Sequence, residues 1–225
     1  MSEGQPPSPP FLSALSAQER AEFEALGRRR EFARGEVIFR EADDPGGVIL
    51  IVSGRVKVCV TGVGGREVVL KLPGPGDLVG ELSAIADRPR SATVTAVDQV
   101  EAIAVRAGDF RRFVLENPRV APLVFDQVAA SLAEADRQRV DFATRDVTAR
   151  IAGRLIELAA TDGDQQPDGV RITLPLSQED LAGWAGASRE AVARSLHLLR
   201  ELGWIETRRR EIKVLNLEAL RTLLQ

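Results

Sequence analysis

The chain of 225 residues has one cysteine, Cys59, and one histidine, His197. A single cysteine excludes an intrachain disulfide and an iron–sulfur cluster held by several cysteines of one chain. One Cys and one His, far apart in sequence, leave neither a zinc site nor a His- or Cys-based catalytic constellation. No catalytic residue and no metal ligand is therefore assigned, and an enzyme is not expected. Long hydrophobic runs are also missing. The longest aliphatic run, Val48 to Val52, falls far short of the roughly 20 residues that span a bilayer. Residues 1–10 are rich in Pro and Ser, without a basic start or an apolar stretch, so no signal peptide is expected and the protein is expected in the cytoplasm. Excess charge of one sign is absent as well. With 30 basic and 33 acidic residues the net charge is −3, so a surface for nucleic acid must be sought locally.

What is present is an ordinary soluble composition, 44% hydrophobic and 28% charged, with length for one large or two smaller domains. Residues 1–10 read as a disordered tail. Phe11 to Leu26 reads as a short helix, with Ser16 and Glu19 at capping-box spacing. From Phe32 to Val105 short β-rich runs recur: Val37–Phe39, Val48–Val52, Val56–Val60, Val68–Leu72, Ala92–Val97 and Glu101–Val105. Gly, Pro and Asp clusters separate them, which predicts an all-β sandwich or barrel and not βαβ units. Asn117 to Thr144 contains no Gly, and its Pro residues stand only in the first turns. Ala121, Phe125, Val128, Leu132, Ala135, Arg139 and Phe142 alternate at spacings of four and three, an a/d seam that needs a partner. A second copy of the chain is that expected partner. Asp162 to Gly169 reads as an acidic Gly/Pro loop, and Arg171 to Leu174 as a strand.

The C-terminal region carries the clearest motif. Ser177 and Asp180 form a second capping-box spacing, and the helix they open stops near Gly186. Ser188 offers a new N-cap almost at once, and the next helix places Val192, Leu196, Leu199 and Leu202 on one face before Gly203. Two helices joined by a tight Gly turn predict a helix-turn-helix. Trp204 to Val214, with Arg208, Arg209 and Arg210 at its centre, predicts a two-stranded wing with a basic tip. In a recognition helix the first turn enters the major groove. Arg189 and Arg194 suit guanine, Glu190 can accept from cytosine, and N–H groups at Ser188 suit a phosphate.

The segment Gly186 to Arg194 (GASREAVAR) resembles the recognition segment of the cyclic-AMP receptor protein family, the CRP/FNR regulators. The resemblance extends over about Phe11 to Val214. It implies an α+β chain: an N-terminal cyclic-nucleotide-binding β-roll (a jelly-roll-like barrel) over 11–116, a dimerisation helix over 117–145, and a winged helix-turn-helix over 146–225. It implies a homodimer on palindromic double-stranded DNA with TGTGA-like half-sites read by Arg189, Glu190 and Arg194. Recognition helices of such a dimer lie about 34 Å apart. Ser177 and Gln178 match phosphate-contacting positions. RNA polymerase is the further partner implied, with Asp162 to Gly169 where relatives touch it.

Gly80-Glu81-Leu82-Ser83-Ala84 followed by Arg90-Ser91-Ala92 resembles the family's phosphate-binding cassette. Its chemistry is sound in itself. Arg90 supplies a multi-donor cation for a cyclic phosphate, and Ser91 a hydroxyl. Backbone N–H groups from Gly80 through Leu82 to Ser83 can approach the same oxygens, and Glu81 can accept from a ribose hydroxyl. The effector implied is cyclic AMP, with cyclic GMP as the alternative, and with no metal, haem or iron–sulfur group. Haem-binding relatives ligate through a sensor-domain His, whereas His197 falls in the recognition helix. Two features depart from the family. The Glu81–Arg90 loop is one residue shorter than in the best-known member. Counting back from Asp146, which matches the hinge aspartate, the base-contacting positions are Ala135 and Asp136, where hydroxyl residues are usual. Asp136 can accept from adenine's amino group, and equally from the two adjacent donors of guanine. It can also simply pair with Arg137 or Arg139. A vestigial cassette, with Glu81 paired to Arg90 and DNA bound without a ligand, is the rival reading. A nucleotide-controlled enzyme and an architectural DNA binder are the others.

Overall fold

The computed structural model describes residues 9–173, 176–208 and 211–224. Most of the expected tail, Leu174 at the end of an expected strand, and Arg209 and Arg210 of the basic tip lie outside them. The chain divides into two compact units, Met1–Val60 with Leu70–Asp136, and Thr61–Val69 with Arg137–Gln225.

The first unit begins with α1 (Phe11–Ala14) and α2 (Ala17–Leu26). The single helix expected over Phe11–Leu26 is split at Leu15 because Ser16 takes extended backbone as an N-cap. Ser16 Oγ accepts the Glu19 N–H at 3.3 Å, and the Glu19 carboxylate accepts the Ser16 N–H at 2.7 Å. Along the chain then follow β1 (Arg28–Phe32), β2 (Val37–Phe39), β3 (Gly47–Ser53), β4 (Val56–Thr61), β5 (Glu67–Lys71), β6 (Leu78–Val79), α3 (Glu81–Ala86), β7 (Thr93–Ala96), β8 (Val100–Arg106), α4 (Ala107–Glu116) and α5 (Val120–Thr144), of which Thr61–Val69 and the part of α5 from Arg137 on belong to the second unit. The strands form two four-stranded sheets, ordered β1-β8-β3-β6 and β2-β7-β4-β5.

β3 is apolar on both sides because both of its faces are covered. Val48 and Leu50 join Phe11, Phe23, Phe110 and Phe113 in a core between sheet and helices. Ile49 and Ile51 face the other way, into a core with Val56, Val58, Val94 and Ala96 of the second sheet. Ile103 and Val105 against Val100 and Ala102 repeat this alternation on β8. Phe23 is edge-on to Phe11, Phe110 and Phe113 at centroid distances of 5.8, 6.3 and 5.4 Å, a geometry that adds to simple burial.

On α5 only Val120 and Val124 are fully buried apolar residues. Further along the expected seam Phe125 is 72% exposed and Leu132 61%. Val128 and Ala135 are half-buried.

The second unit continues with α6 (Val147–Asp162), β9 (Gly163–Gln166), β10 (Gly169–Ile172), α7 (Gln178–Ala185), α8 (Arg189–Glu201), β11 (Ile205–Arg208), β12 (Glu211–Val214) and α9 (Leu217–Thr222). Asp146 caps α6, accepting the Ala149 N–H at 2.8 Å. The segment Asp162–Gly169, expected as a solvated loop, is for the most part a β-hairpin. β9 and β10 pair in register from Gly163 opposite Ile172 to Gln166 opposite Gly169. Its acids are held by cations of neighbouring strands: Arg171 bonds Asp164 at 2.7 Å, and Lys213 bonds Asp168 at 2.5 Å. The expected two-stranded wing is thereby enlarged to a four-stranded sheet, β11-β12-β10-β9.

The two predicted helices of the reading motif are present. Ser177 and Asp180 close the second capping box, and Gly186 ends α7 in the left-handed conformation at φ 58°. Ser188 then caps α8 through the Ala191 N–H at 3.2 Å. Val192, Leu196 and Leu199 are buried as expected, but Leu202 is 47% exposed. The helix ends at Glu201, so Leu202 lies past its last turn. Ser195 takes a buried place instead, hydrogen-bonded to Thr148 of α6 at 3.0 Å.

Candidate ligand pocket and nucleic-acid interface

Arg90 is the unusual residue of the first unit. Arg90 is buried, only 6% exposed, yet among the described residues its side chain makes one hydrogen bond, from Nη1 to the Gly80 carbonyl at 3.1 Å. Nε has no partner. An unsatisfied buried donor costs about 1–3 kcal/mol, more when charged, so it asks for an explanation such as an anion. Burial pulls the Arg90 pKa below its usual value, and the carboxylates of Asp43 and Glu81 oppose that pull. Among the described residues no ion pair joins Arg90 to Glu81, so the pairing expected of a vestigial cassette is not seen.

Part of the wall around this cation is bare backbone. Gly80, at φ 86°, caps α3, and a Cβ there would stand 2.4 Å from Arg90 Nη1. A Cβ on Gly46 would lie 3.6 Å from Nη2. The backbone of Arg90 is pinned by its N–H to the Asp43 carbonyl at 2.8 Å, and by the Ala42 N–H to its own carbonyl at 2.9 Å. Ala42 holds a positive φ of 67° in that turn, a conformation that non-glycine residues adopt sparingly.

The structure brings Gly80, Glu81, Ser83 and Arg90 together. Glu81 and Ser83 are buried in the first turn of α3, and Ser83 Oγ donates to the Pro89 carbonyl at 3.3 Å. Leu82 and Ser91 are exposed. Ala135 is half-buried on α5, and Asp136 is exposed beside it. The residues that reading the sequence missed are Asp43, which carries no reading there, Gly46, which belongs only to a turn cluster, and Phe39, which appears only as a strand residue. Their proximity to Arg90 is a product of the fold, with no local signal.

In the second unit Arg189, Glu190 and Arg194 are all exposed on the first turns of α8. Among the described residues no ion pair ties Glu190 to Arg194. The Glu190 pKa is lowered by its own backbone N–H, then by the Ser188 hydroxyl and the neighbouring arginines, so it is a carboxylate acceptor at neutral pH. Ser177 and Gln178 are exposed at the start of α7. The Ser177 hydroxyl already donates to Asp180 at 2.6 Å. Arg208 is exposed at the end of β11, 3.7 Å from Glu206. Arg200 bonds Thr207 at 2.9 Å, which fastens α8 to the wing. His197, on the exposed side of α8, lies 3.4 Å from Glu201. Among the described residues no helix is long and apolar enough to cross a membrane, and no group of three His, Cys, Asp or Glu residues could hold a metal ion.

These two constellations fall in two matched families. Residues 29–117 match the cyclic nucleotide-binding domain, and residues 149–223 match the Crp-like helix-turn-helix domain. The CRP-like cAMP-activated global transcriptional regulator of Mycobacterium tuberculosis is 30% identical over 190 residues, 84% of this chain and 85% of that protein. The chain belongs to the CRP/FNR family of transcription regulators. This CRP/FNR regulator is also 31% identical to the cyclic AMP receptor protein of Thermus thermophilus, over 86% of this chain and 87% of that one. Its fold superposes with a TM-score of 0.79 on the c-di-GMP-responsive global regulator CLP of Xanthomonas campestris, at 26% identity, covering 88% of this chain and 99% of that one. The regulator thus has the expected α+β architecture, a sheet-rich nucleotide-binding domain, a long helix and a helix-turn-helix domain.

Proposed function

We propose that this CRP/FNR regulator is a homodimer whose affinity for palindromic DNA is set by a cyclic nucleotide, cyclic AMP foremost and cyclic GMP as the alternative. The observation that carries the proposal is Arg90, a buried cation with a partnerless Nε inside a glycine-walled turn. That arrangement fits a phosphate, which supplies the acceptors the protein withholds. Arg90, the N–H groups of Gly80 through Leu82 to Ser83, and the Ser91 hydroxyl would hold the phosphate, and Glu81 the ribose hydroxyl. Relatives carry cyclic AMP in their names, which supports adenine. Residues 11–116 are the proposed sensor, 117–145 the dimerisation helix and 146–225 the DNA-binding domain.

Arg189, Glu190 and Arg194 would read TGTGA-like half-sites, Ser177, Gln178 and Ser188 would contact phosphates, and Arg208 and Arg209 of the wing would also bind the DNA. RNA polymerase is the proposed partner of the β9–β10 hairpin, and the cytoplasm the proposed location. Control is a population shift: the nucleotide acts only by binding the DNA-competent state more tightly than the other. The protein acts by binding, with no catalytic residue assigned.

A second reading, DNA binding without any nucleotide, is favoured by the missing hydroxyl at Ala135 and the acid at Asp136. Calorimetric titration of nucleotide-stripped protein with cyclic AMP and cyclic GMP in parallel separates the two. Binding of at least one nucleotide is expected. If Asp136 reads the base, Asp136→Thr shifts the preference toward cyclic AMP by about tenfold, the scale of one charge-assisted hydrogen bond. An unchanged preference removes Asp136 from base recognition. Heat from neither nucleotide in the wild-type protein rejects the first reading in favour of the second.

A further inference from the structure

We propose that Phe39 is the positioning residue for Arg90, and that it presents the guanidinium edge-on, through Nε–H and Nη2 together, to two oxygens of one anionic ligand. The inference rests on the anion-site reading of Arg90 and deepens it.

Two contacts fix the guanidinium plane. The Phe39 ring lies under Arg90 with Cζ 4.1 Å from the ring centroid. This covers one face of the cation and adds an attraction that grows as water is excluded. Nη1, the nitrogen cis to Cδ, is committed to the Gly80 carbonyl. The opposite edge, Nε–H with Nη2, is left as the pair of parallel donors, and a Cβ on Gly46 would lie 3.6 Å from Nη2. Two parallel N–H groups match two oxygens of a phosphate, which is how guanidinium differs from ammonium as an anion binder. The backbone turns Phe39 toward this task. β2 pairs with β7 through a register irregularity between Val37 and Phe39. Bulges of this kind re-aim a side chain. Ile38 and Phe39, neighbours that a regular strand would send to opposite faces, both pack against the same core cluster.

The aromatic face is what matters in this account, so apolar bulk alone should not replace it. Phe39→Leu keeps apolar contact and removes the ring; Phe39→Tyr restores the ring; Phe39→Met replaces the leucine variant should that one fail to fold. Two readouts are compared with thermal denaturation as the control for folding. The first is the Arg90 Nε–Hε resonance of nucleotide-free protein, assigned by its disappearance in Arg90→Lys. It should be ring-shifted in wild type and Phe39→Tyr, and move to an unshifted or exchange-broadened position in Phe39→Leu. The second is calorimetric affinity for cyclic AMP and cyclic GMP, expected to weaken about tenfold in Phe39→Leu and to stay within about twofold in Phe39→Tyr, on the scale of one desolvated cation–π contact. An unmoved Nε–Hε resonance in Phe39→Leu overturns the proposal, as does unchanged affinity in that variant. Should wild-type protein bind neither nucleotide, the cyclic-nucleotide reading fails, and the resonance alone decides whether Phe39 positions Arg90.

Discussion

Arg90→Ala is expected to weaken cyclic-nucleotide binding by at least about thirtyfold while leaving the nucleotide-free protein folded. Both halves follow from the same geometry. In the free protein Arg90 is buried, its Nε is unpartnered, and its charge is desolvated. Its contribution to folding is one side-chain hydrogen bond to Gly80, a contact with the Phe39 ring and the attraction of the Asp43 and Glu81 carboxylates, set against the cost of burying a charge with incomplete partners. Removing the side chain loses the first and relieves the second, so the thermal midpoint should move by only a few degrees. With a phosphate in place the balance changes. Truncating one partner of a buried, hydrogen-bonded charge pair costs about 2–5 kcal/mol, because the other charge is left buried without compensation. Two kcal/mol is about thirtyfold and four is about a thousandfold. Calorimetry gives the affinity and scanning calorimetry the midpoint. A variant that binds as the wild type does would show that Arg90 faces no ligand.

Phe125→Asp with Leu132→Asp is expected to convert the proposed dimer to monomers and to lower specific DNA affinity by a hundredfold or more. Phe125 and Leu132 are 72% and 61% exposed on α5, so the exchange is tolerated by the single chain. Exposed large apolar side chains repeating along one stripe are how an unpaired seam looks. Burying a side chain of this size contributes about 1.5–3 kcal/mol, and a two-fold interface uses each position twice. Four buried side chains would be replaced by four buried, like-charged carboxylates. Light scattering after gel filtration reads the mass directly. DNA affinity falls with it because two half-sites are then no longer bound by one molecule, and linked binding contributes 10²–10⁴-fold. A double variant that still runs as a dimer would place the interface elsewhere.

Signals confined to a few neighbouring residues were legible in the sequence. The Ser16–Glu19 and Ser177–Asp180 capping boxes close within a single turn, and both appear in the structure with both hydrogen bonds made. The continuous apolar run of β3 and the turn at Gly186 are equally local. What escaped depends on distant partners. β1 carries Arg28, Arg29 and Arg30 on an exposed strand with no apolar alternation, and it exists because it pairs with β8. The β9–β10 hairpin looks like a loop until Lys213 and Arg171 neutralise its acids. In the pocket, Arg90 stood out from its motif alone. Phe39, Asp43 and Gly46 did not, because closing the β-roll is what carries them to it.

The measurement that tests the account most directly is fluorescence-polarisation binding of nucleotide-stripped protein to a palindromic TGTGA-like duplex, at fixed salt, with and without saturating cyclic AMP or cyclic GMP. Tighter binding by at least about fivefold is expected with one of the two nucleotides, the lower end of a coupling free energy of 1–3 kcal/mol, and no such gain in Arg90→Ala. Equal affinity with and without either nucleotide in the wild-type protein would contradict it.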